Sequence, residues 1–134
     1  MDKYKIAVII GSIRRDSFNR KLADAIVRLA PPDFTFRQSQ ISDLPLYNQD
    51  DDENQAASVQ RLKSEIKEAQ GLLFVTPEHN RTIPSALKNA LDHGARPHGQ
   101  NVWGGANRRE FSGHHPAPPA PPWRNSIYAI FWPA

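Results

Sequence analysis

The sequence predicts an α/β fold, a doubly wound parallel sheet of which only the first three strand–helix units are present. Three observations carry this. Short runs that are apolar throughout alternate with segments whose apolar residues recur at helical spacing. The first and third of these runs open into loops marked by Gly11 and by Pro77 and Pro84. The order strand then helix repeats three times, the pattern of parallel strands joined by crossover helices.

Ile6-Ala7-Val8-Ile9-Ile10 is unbroken apolar sequence, as in a parallel strand covered on both faces. Gly11 turns the chain. Phe18, Leu22, Ala25, Ile26 and Leu29 then mark one face of a first helix, which Pro31-Pro32 stops. Phe34-Thr35-Phe36 is a short second strand. A polar loop follows, with Leu44-Pro45-Leu46-Tyr47 and the acidic cluster Asp50-Asp51-Asp52-Glu53. Val59, Leu62, Ile66 and Ala69 share a face of a second helix, closed by Gly71. Leu72-Leu73-Phe74-Val75 is the third strand. Pro84 stands where a third helix begins, with Leu87 and Leu91 four apart on its inner face.

A chain of 134 residues suffices for one domain. With 39% hydrophobic and 23% charged residues the composition is in the globular range, which argues against wholesale disorder. The absence of cysteine excludes disulfides, thiolate metal sites and cysteine nucleophiles. No apolar run approaches the roughly 18 residues of a membrane span. The N-terminal apolar run is too short and too early for a signal peptide, so a cytoplasmic address is expected. A net charge of +3 without a basic stripe gives no reason to expect nucleic acid as a partner.

Ligands of an open parallel sheet bind beyond the carboxyl ends of the strands, where the strand order reverses. The first strand runs into Gly11-Ser12-Ile13-Arg14-Arg15-Asp16-Ser17-Phe18-Asn19. Ser12 and Ser17 offer hydroxyls, Asn19 an amide, and Arg14 and Arg15 fixed charge. The helix start adds unpaired N–H groups and the positive end of a dipole. A terminal phosphate dianion would engage all of these donors. The loop has neither the lysine of the nucleotide-triphosphate loop nor G-x-G-x-x-G, so a phosphate monoester fits best. The third strand ends in Thr76-Pro77-Glu78-His79-Asn80-Arg81-Thr82-Ile83-Pro84, a loop pinned by two prolines. Each loop alone also suits a capped helix or a rigid connection. Two of them at the ends of adjacent strands point to a ligand.

Four segments occur in order across residues 4 to about 103: Gly11-Ser12-x-Arg14-x-x-Ser17-x-Asn19, Leu44-Pro45-Leu46-Tyr47, Pro77-Glu78-His79-Asn80 and Leu87-Lys88-Asn89-Ala90-Leu91-Asp92. Together they resemble the NADPH-dependent FMN reductase family. The resemblance implies a flavodoxin-like fold, FMN as cofactor and NADPH or NADH as co-substrate. It also implies a small-molecule electron acceptor of the quinone, azo or chromate type. Ser12, Arg14, Ser17, Phe18 and Asn19, with Arg15 beside them, would wrap the FMN phosphate, and Pro77, Glu78, His79 and Asn80 would border the isoalloxazine ring. The cofactor carries the chemistry, so no general acid or base is nominated. Three positions depart from the family: His79 and His98 replace tyrosine, and His93 replaces tryptophan, which thins the aromatic surface expected around the flavin. These histidines have no acidic partner at ligand spacing, and no metal site is expected. Homo-oligomers are typical of the family, but a missing second half would remove part of the assembly surface.

From Gly104 onward the periodicity stops. Of the 12 prolines, those at 116, 118, 119, 121, 122 and 133 follow residue 115. Residues 1–104 are therefore expected to form an incomplete FMN-binding domain, and residues 105–134 an irregular, disordered tail. Family members continue here with a lysine-proline turn, a fourth strand and a G-A-S-P-G loop at the flavin. In a shifted frame, GC-rich codons for the residues from Ala106 to Ala120 spell KPAGILGASPGATG, so a frameshift near residue 105 is expected. Its consequences would be a third strand with a bare apolar edge, weak or absent FMN binding and poor stability. Two other functions fit parts of the chain. Pro119-Ala120-Pro121-Pro122-Trp123-Arg124 matches the P-x-x-P-x-R ligand of SH3-type grooves, a pattern that arises readily in proline-biased sequence. A flavodoxin-like electron carrier without NAD(P)H activity is the other. Carriers are usually strongly acidic, and the sequence pI of about 9.4 argues against one.

Overall fold

The computed structural model describes residues 4–97, Val102 and Trp103, and the backbone of residues 127–133. The elements are β1 (Tyr4–Ile10), α1 (Phe18–Leu29), β2 (Phe34–Gln38), a 3-10 turn (Gln49–Asp51), α2 (Ala57–Glu68), β3 (Gly71–Pro77), α3 (Ser85–Ala95) and β4 (Ile127–Pro133). They build one sheet in the order β2-β1-β3-β4. β1 is central and pairs in parallel with both neighbours, Ile6 opposite Phe36 on one side and Val8 opposite Leu73 on the other.

The apolar run of β1 is buried because it has a core on each face. Successive strand side chains point to opposite sides. Ile6, Val8 and Ile10 join Leu73, Val75 and Ala23 beneath α1. Ala7 and Ile9 join Leu72, Leu62, Ile66, Leu87 and Ala90 beneath α2 and α3. This doubly wound arrangement of three parallel strands is the fold that the sequence predicts. Trp103 completes the second core. Val102 N donates to Gly94 O at 2.9 Å, and the Trp103 indole N–H donates to Leu91 O at 3.0 Å.

Three details differ from expectation. On α1 the buried residues are Asn19 and Ala23, Leu22 and Ile26 only line the core, and Phe18 and Leu29 are 66% and 86% exposed. Its first and last apolar residues meet solvent. Gly71 does not close α2. The helix ends at Ala69 in extended conformation, and Gly71 opens β3 opposite Ile6.

The third detail is the tail. Residues 127–133 are not irregular: β4 runs antiparallel to β3, from Ile127 opposite Pro77 to Pro133 opposite Gly71. The expected bare edge of β3 is thus covered. An open strand edge is a row of unmet N–H and C=O groups that templates another strand. Ile127-Tyr128-Ala129-Ile130-Phe131-Trp132 is rich in the aromatic and β-branched residues that pair well there. The proline run, the P-x-x-P-x-R match, His98 and the proposed break near residue 105 lie outside the described residues.

Candidate functional site

The two sequence-selected loops leave the adjacent strands β1 and β3 at the same end of the sheet. Gly11 N donates to Val75 O at 2.8 Å, which ties the start of the first loop to β3. A Cβ on Gly11 would stand 2.2 Å from Thr76 Oγ1, so only glycine lets β1 exit this close to β3. The buried Ser17 caps α1. Its Oγ accepts from the backbone N of Asn19 at 3.2 Å and faces the Asn19 Nδ2 at 3.4 Å. Ser12 is half-buried and its Oγ accepts from Arg14 N at 3.4 Å. Arg14 and Arg15 are exposed, and among the described residues neither guanidinium has a carboxylate partner. Phe18 turns outward with Lys21 Nζ 5.4 Å from its ring centroid.

Asn19 is the informative residue. It is buried, yet its Oδ1 has no hydrogen-bond partner. Oδ1 and Nδ2 exchange places by a half-turn of the amide. With Ser17 Oγ donating to Oδ1, the open side of Asn19 becomes a donor. That donor, the first turn of α1, two hydroxyls and two unpaired guanidinium groups suit a phosphate monoester. The residues present therefore fit the phosphate end of FMN.

The second loop is a tight turn. His79 N donates to Thr82 O at 2.8 Å and Thr82 N returns the bond to His79 O at 3.0 Å. Asn80 and Arg81 between them have φ of 51° and 66°. Positive φ at both central positions is the pattern of a type I′ turn, which asparagine tolerates and arginine adopts at a cost. Pro77 and Glu78 are half-buried, whereas His79 and Asn80 are exposed at the tip. The sequence flagged the prolines as the pins. The structure adds this reciprocal pair, whose one legible signal is Asn80.

Sequence reasoning missed a strap between the Leu44-Pro45-Leu46-Tyr47 segment and α3. Asn89 Nδ2 donates to Pro45 O at 2.9 Å, Tyr47 N donates to Asn89 Oδ1 at 2.8 Å, and His93 Nε2 lies 2.6 Å from Pro45 O. The carbonyl can only accept, so His93 carries its proton on Nε2. Its ring meets Tyr47 edge-on at 5.4 Å. Burial, with the Asp52 carboxylate that accepts from Tyr47 Oη at 3.2 Å, pushes the Tyr47 phenol up and keeps it protonated. Asn89 and His93 sit four apart on one helix face, the only trace of this strap in the sequence. Among the described residues no group of three His, Asp or Glu side chains is placed to hold a metal. A hollow of about 800 Å³ beside Asp50, Asp52 and Glu53 contains none of the sequence-selected residues.

Residues 4–114 match the family described as NADPH-dependent FMN reductase. The chain is 55% identical over 101 residues to 2-hydroxy-1,4-benzoquinone reductase of Burkholderia sp, covering 75% of this chain and 55% of that protein. It is 48% identical over 103 residues to a quinone reductase of Pseudomonas putida, covering 76% and 55%. A solved structure, the flavoenzyme NAD(P)H:(acceptor) oxidoreductase FerB from Paracoccus denitrificans, is similar with TM-score 0.71 and 43% identity, over 75% of this chain and 55% of that one. The chain thus spans about half the length of the relatives it matches.

Proposed function

This chain belongs to the NADPH-dependent FMN reductase family, and from that premise we propose that it is an NAD(P)H-dependent flavoprotein oxidoreductase for quinone-type acceptors, with azo dyes and chromate as further substrates, impaired in the chain as it stands. One juxtaposition carries the reading. The donor-rich loop of residues 11–19 and the turn of residues 77–82 leave adjacent parallel strands at the end of the sheet where ligands bind. Ser12, Arg14, Arg15, Ser17, Phe18 and Asn19 hold the phosphate end of FMN. Pro77, Glu78, His79 and Asn80 border its ring. FMN held there would supply the redox chemistry between NAD(P)H and the acceptor. The quinone acceptor is supported by two similar proteins, named as reductases of 2-hydroxy-1,4-benzoquinone and of quinone.

The impairment follows from what stands where relatives continue. Residues 105–134 read as out-of-frame sequence, and their strand β4 meets β3 antiparallel rather than extending the parallel series. The family match runs on to residue 114, past that break. A cytoplasmic address belongs to the same reading. Among the described residues no helix is long and apolar enough to cross a membrane.

NADPH oxidation with 1,4-benzoquinone tests the proposal. The expected result is slow turnover that requires both protein and added FMN. Turnover should rise when the gene is returned to the alternative frame after codon 105. A rate equal to the protein-free mixture for both chains would overturn it.

A further inference from the structure

A cavity of about 390 Å³ opens on the side of β1 away from β3, between the first loop and the end of β2. That is within the size range of small-molecule sites. Two bonds fix its β2 wall. Ser39 N donates to Val8 O at 2.9 Å, and the Arg61 guanidinium donates to Gln40 O at 2.7 Å while it pairs with Asp43. The nearest acid in sequence is thus committed, and no carboxylate stands among the described residues of the lining. Arg20 supplies the one charge there. Its guanidinium has no hydrogen bond or ion pair among the described residues, Asp24 one turn along α1 included. Three hydroxyls join it. Ser39 is 2% exposed, and its Oγ is buried without a hydrogen-bond partner. Ser12 Oγ accepts from Arg14 N and Ser42 Oγ from Gln40 Nε2, so each keeps its own hydrogen to donate. Ile10, Ile13 and Ile41 supply apolar lining.

We infer that this cavity binds an aryl monocarboxylate, its carboxylate on Arg20 and Ser39 and its ring on Ile10, Ile13 and Ile41. The donor set decides the head group. A guanidinium and three hydroxyl hydrogens with no opposing carboxylate suit an oxyanion, and the orphan Ser39 hydroxyl gains a partner when one enters. The charge count decides its type. One cation balances one negative charge, and the planar guanidinium fork matches a carboxylate edge to edge. A phosphate dianion would bring a second charge that the lining leaves unbalanced. The three isoleucines decide the body, since a bare inorganic ion or a sugar would leave them against water. A rigid aromatic ring covers them without freezing rotors of its own. The wall is held before any ligand arrives by Val8 and Arg61, which lowers the ordering cost of binding. Apart from Ser12, no lining residue belongs to the two flavin loops' selected residues, so the inference goes beyond the flavin reading.

Amide NMR titration of the full chain with 2-naphthoate tests this, without added FMN. The uncharged 2-naphthamide serves as a probe of the same shape, and inorganic phosphate as the bare anion. Naphthoate should move the resonances of residues 10–13, 20 and 38–42 and leave those of residues 77–82 in place. It should bind about tenfold more tightly than naphthamide, the scale of one charge-assisted contact. Arg20→Gln, a change at an exposed side chain, should remove that difference. Ser39→Ala should weaken naphthoate about fivefold and yet raise the urea midpoint of the empty chain, because it deletes a buried hydroxyl that has no partner. Equal affinity for the two naphthyl probes, a difference that survives Arg20→Gln, or unchanged affinity in Ser39→Ala would each overturn the inference. So would shifts centred on residues 77–82, or phosphate binding more tightly than naphthoate at residues 38–42.

Discussion

Gly94 lies in the last turn of α3, where glycine costs about 0.5–1 kcal/mol relative to alanine in a helix. It is there because of Trp103. A Cβ at residue 94 would stand 2.3 Å from the indole ring. The ring itself is fixed by its hydrogen bond to Leu91 O and by Phe74, 5.9 Å away. Gly94→Ala is expected to destabilise the chain by about 1–3 kcal/mol through overpacking, read as a lower urea midpoint. An unchanged or higher midpoint would mean that the ring yields freely. Nothing local marks this glycine, since its partner folds back from beyond the helix. Asn89 and His93 were hidden for the same reason, with partners 42 to 48 positions away. Ser17 was legible because a cap acts on its immediate neighbour, Asn19. The whole donor set of the first loop could be read in the same way, residue by residue.

Elements were legible in proportion to how local their causes are. β1 reads directly as a covered strand because every residue in its run is apolar. The ends of α1 follow from Ser17 and Pro31-Pro32, whereas its buried face depends on how far the sheet extends beneath it. The loop between β2 and α2 is held by an ion pair that sequence does not show, Arg61 with Asp43, both partly exposed. The Arg61 guanidinium, donating to the carboxylate, holds Asp43 below the usual carboxylate range. Its folded pKa lies below its unfolded one, so the unfolded chain binds more protons between the two. The pair therefore contributes its full stability above the ordinary value of about 3.9, and loses it as pH falls through the lower folded value. Asp43→Asn should cost under about 1 kcal/mol at neutral pH, as expected of an exposed pair. The cost should vanish in acid, giving a flatter acid limb in pH-dependent urea unfolding. A cost that persists at low pH would contradict the ion-pair origin.

At the scale of the molecule, three parallel strands with α1 on one face and α2 and α3 on the other reproduce the arrangement that periodicity predicts through Trp103. The partner of the β3 edge was not legible. Pairing there joins positions 50 to 62 apart in sequence, and a short apolar run in a proline-rich tail carries no local sign of where it docks. β4 brings backbone hydrogen bonds to that edge. The phosphate cradle can be examined apart from the ring by comparing FMN with riboflavin, which lacks only the phosphate, in an amide NMR titration of the full chain. FMN should shift the resonances of residues 11–20 and 77–82, while riboflavin at the same concentration should leave residues 11–20 unmoved. Equal shifts from both compounds, or none from FMN at any soluble concentration, would contradict a phosphate site at the start of α1.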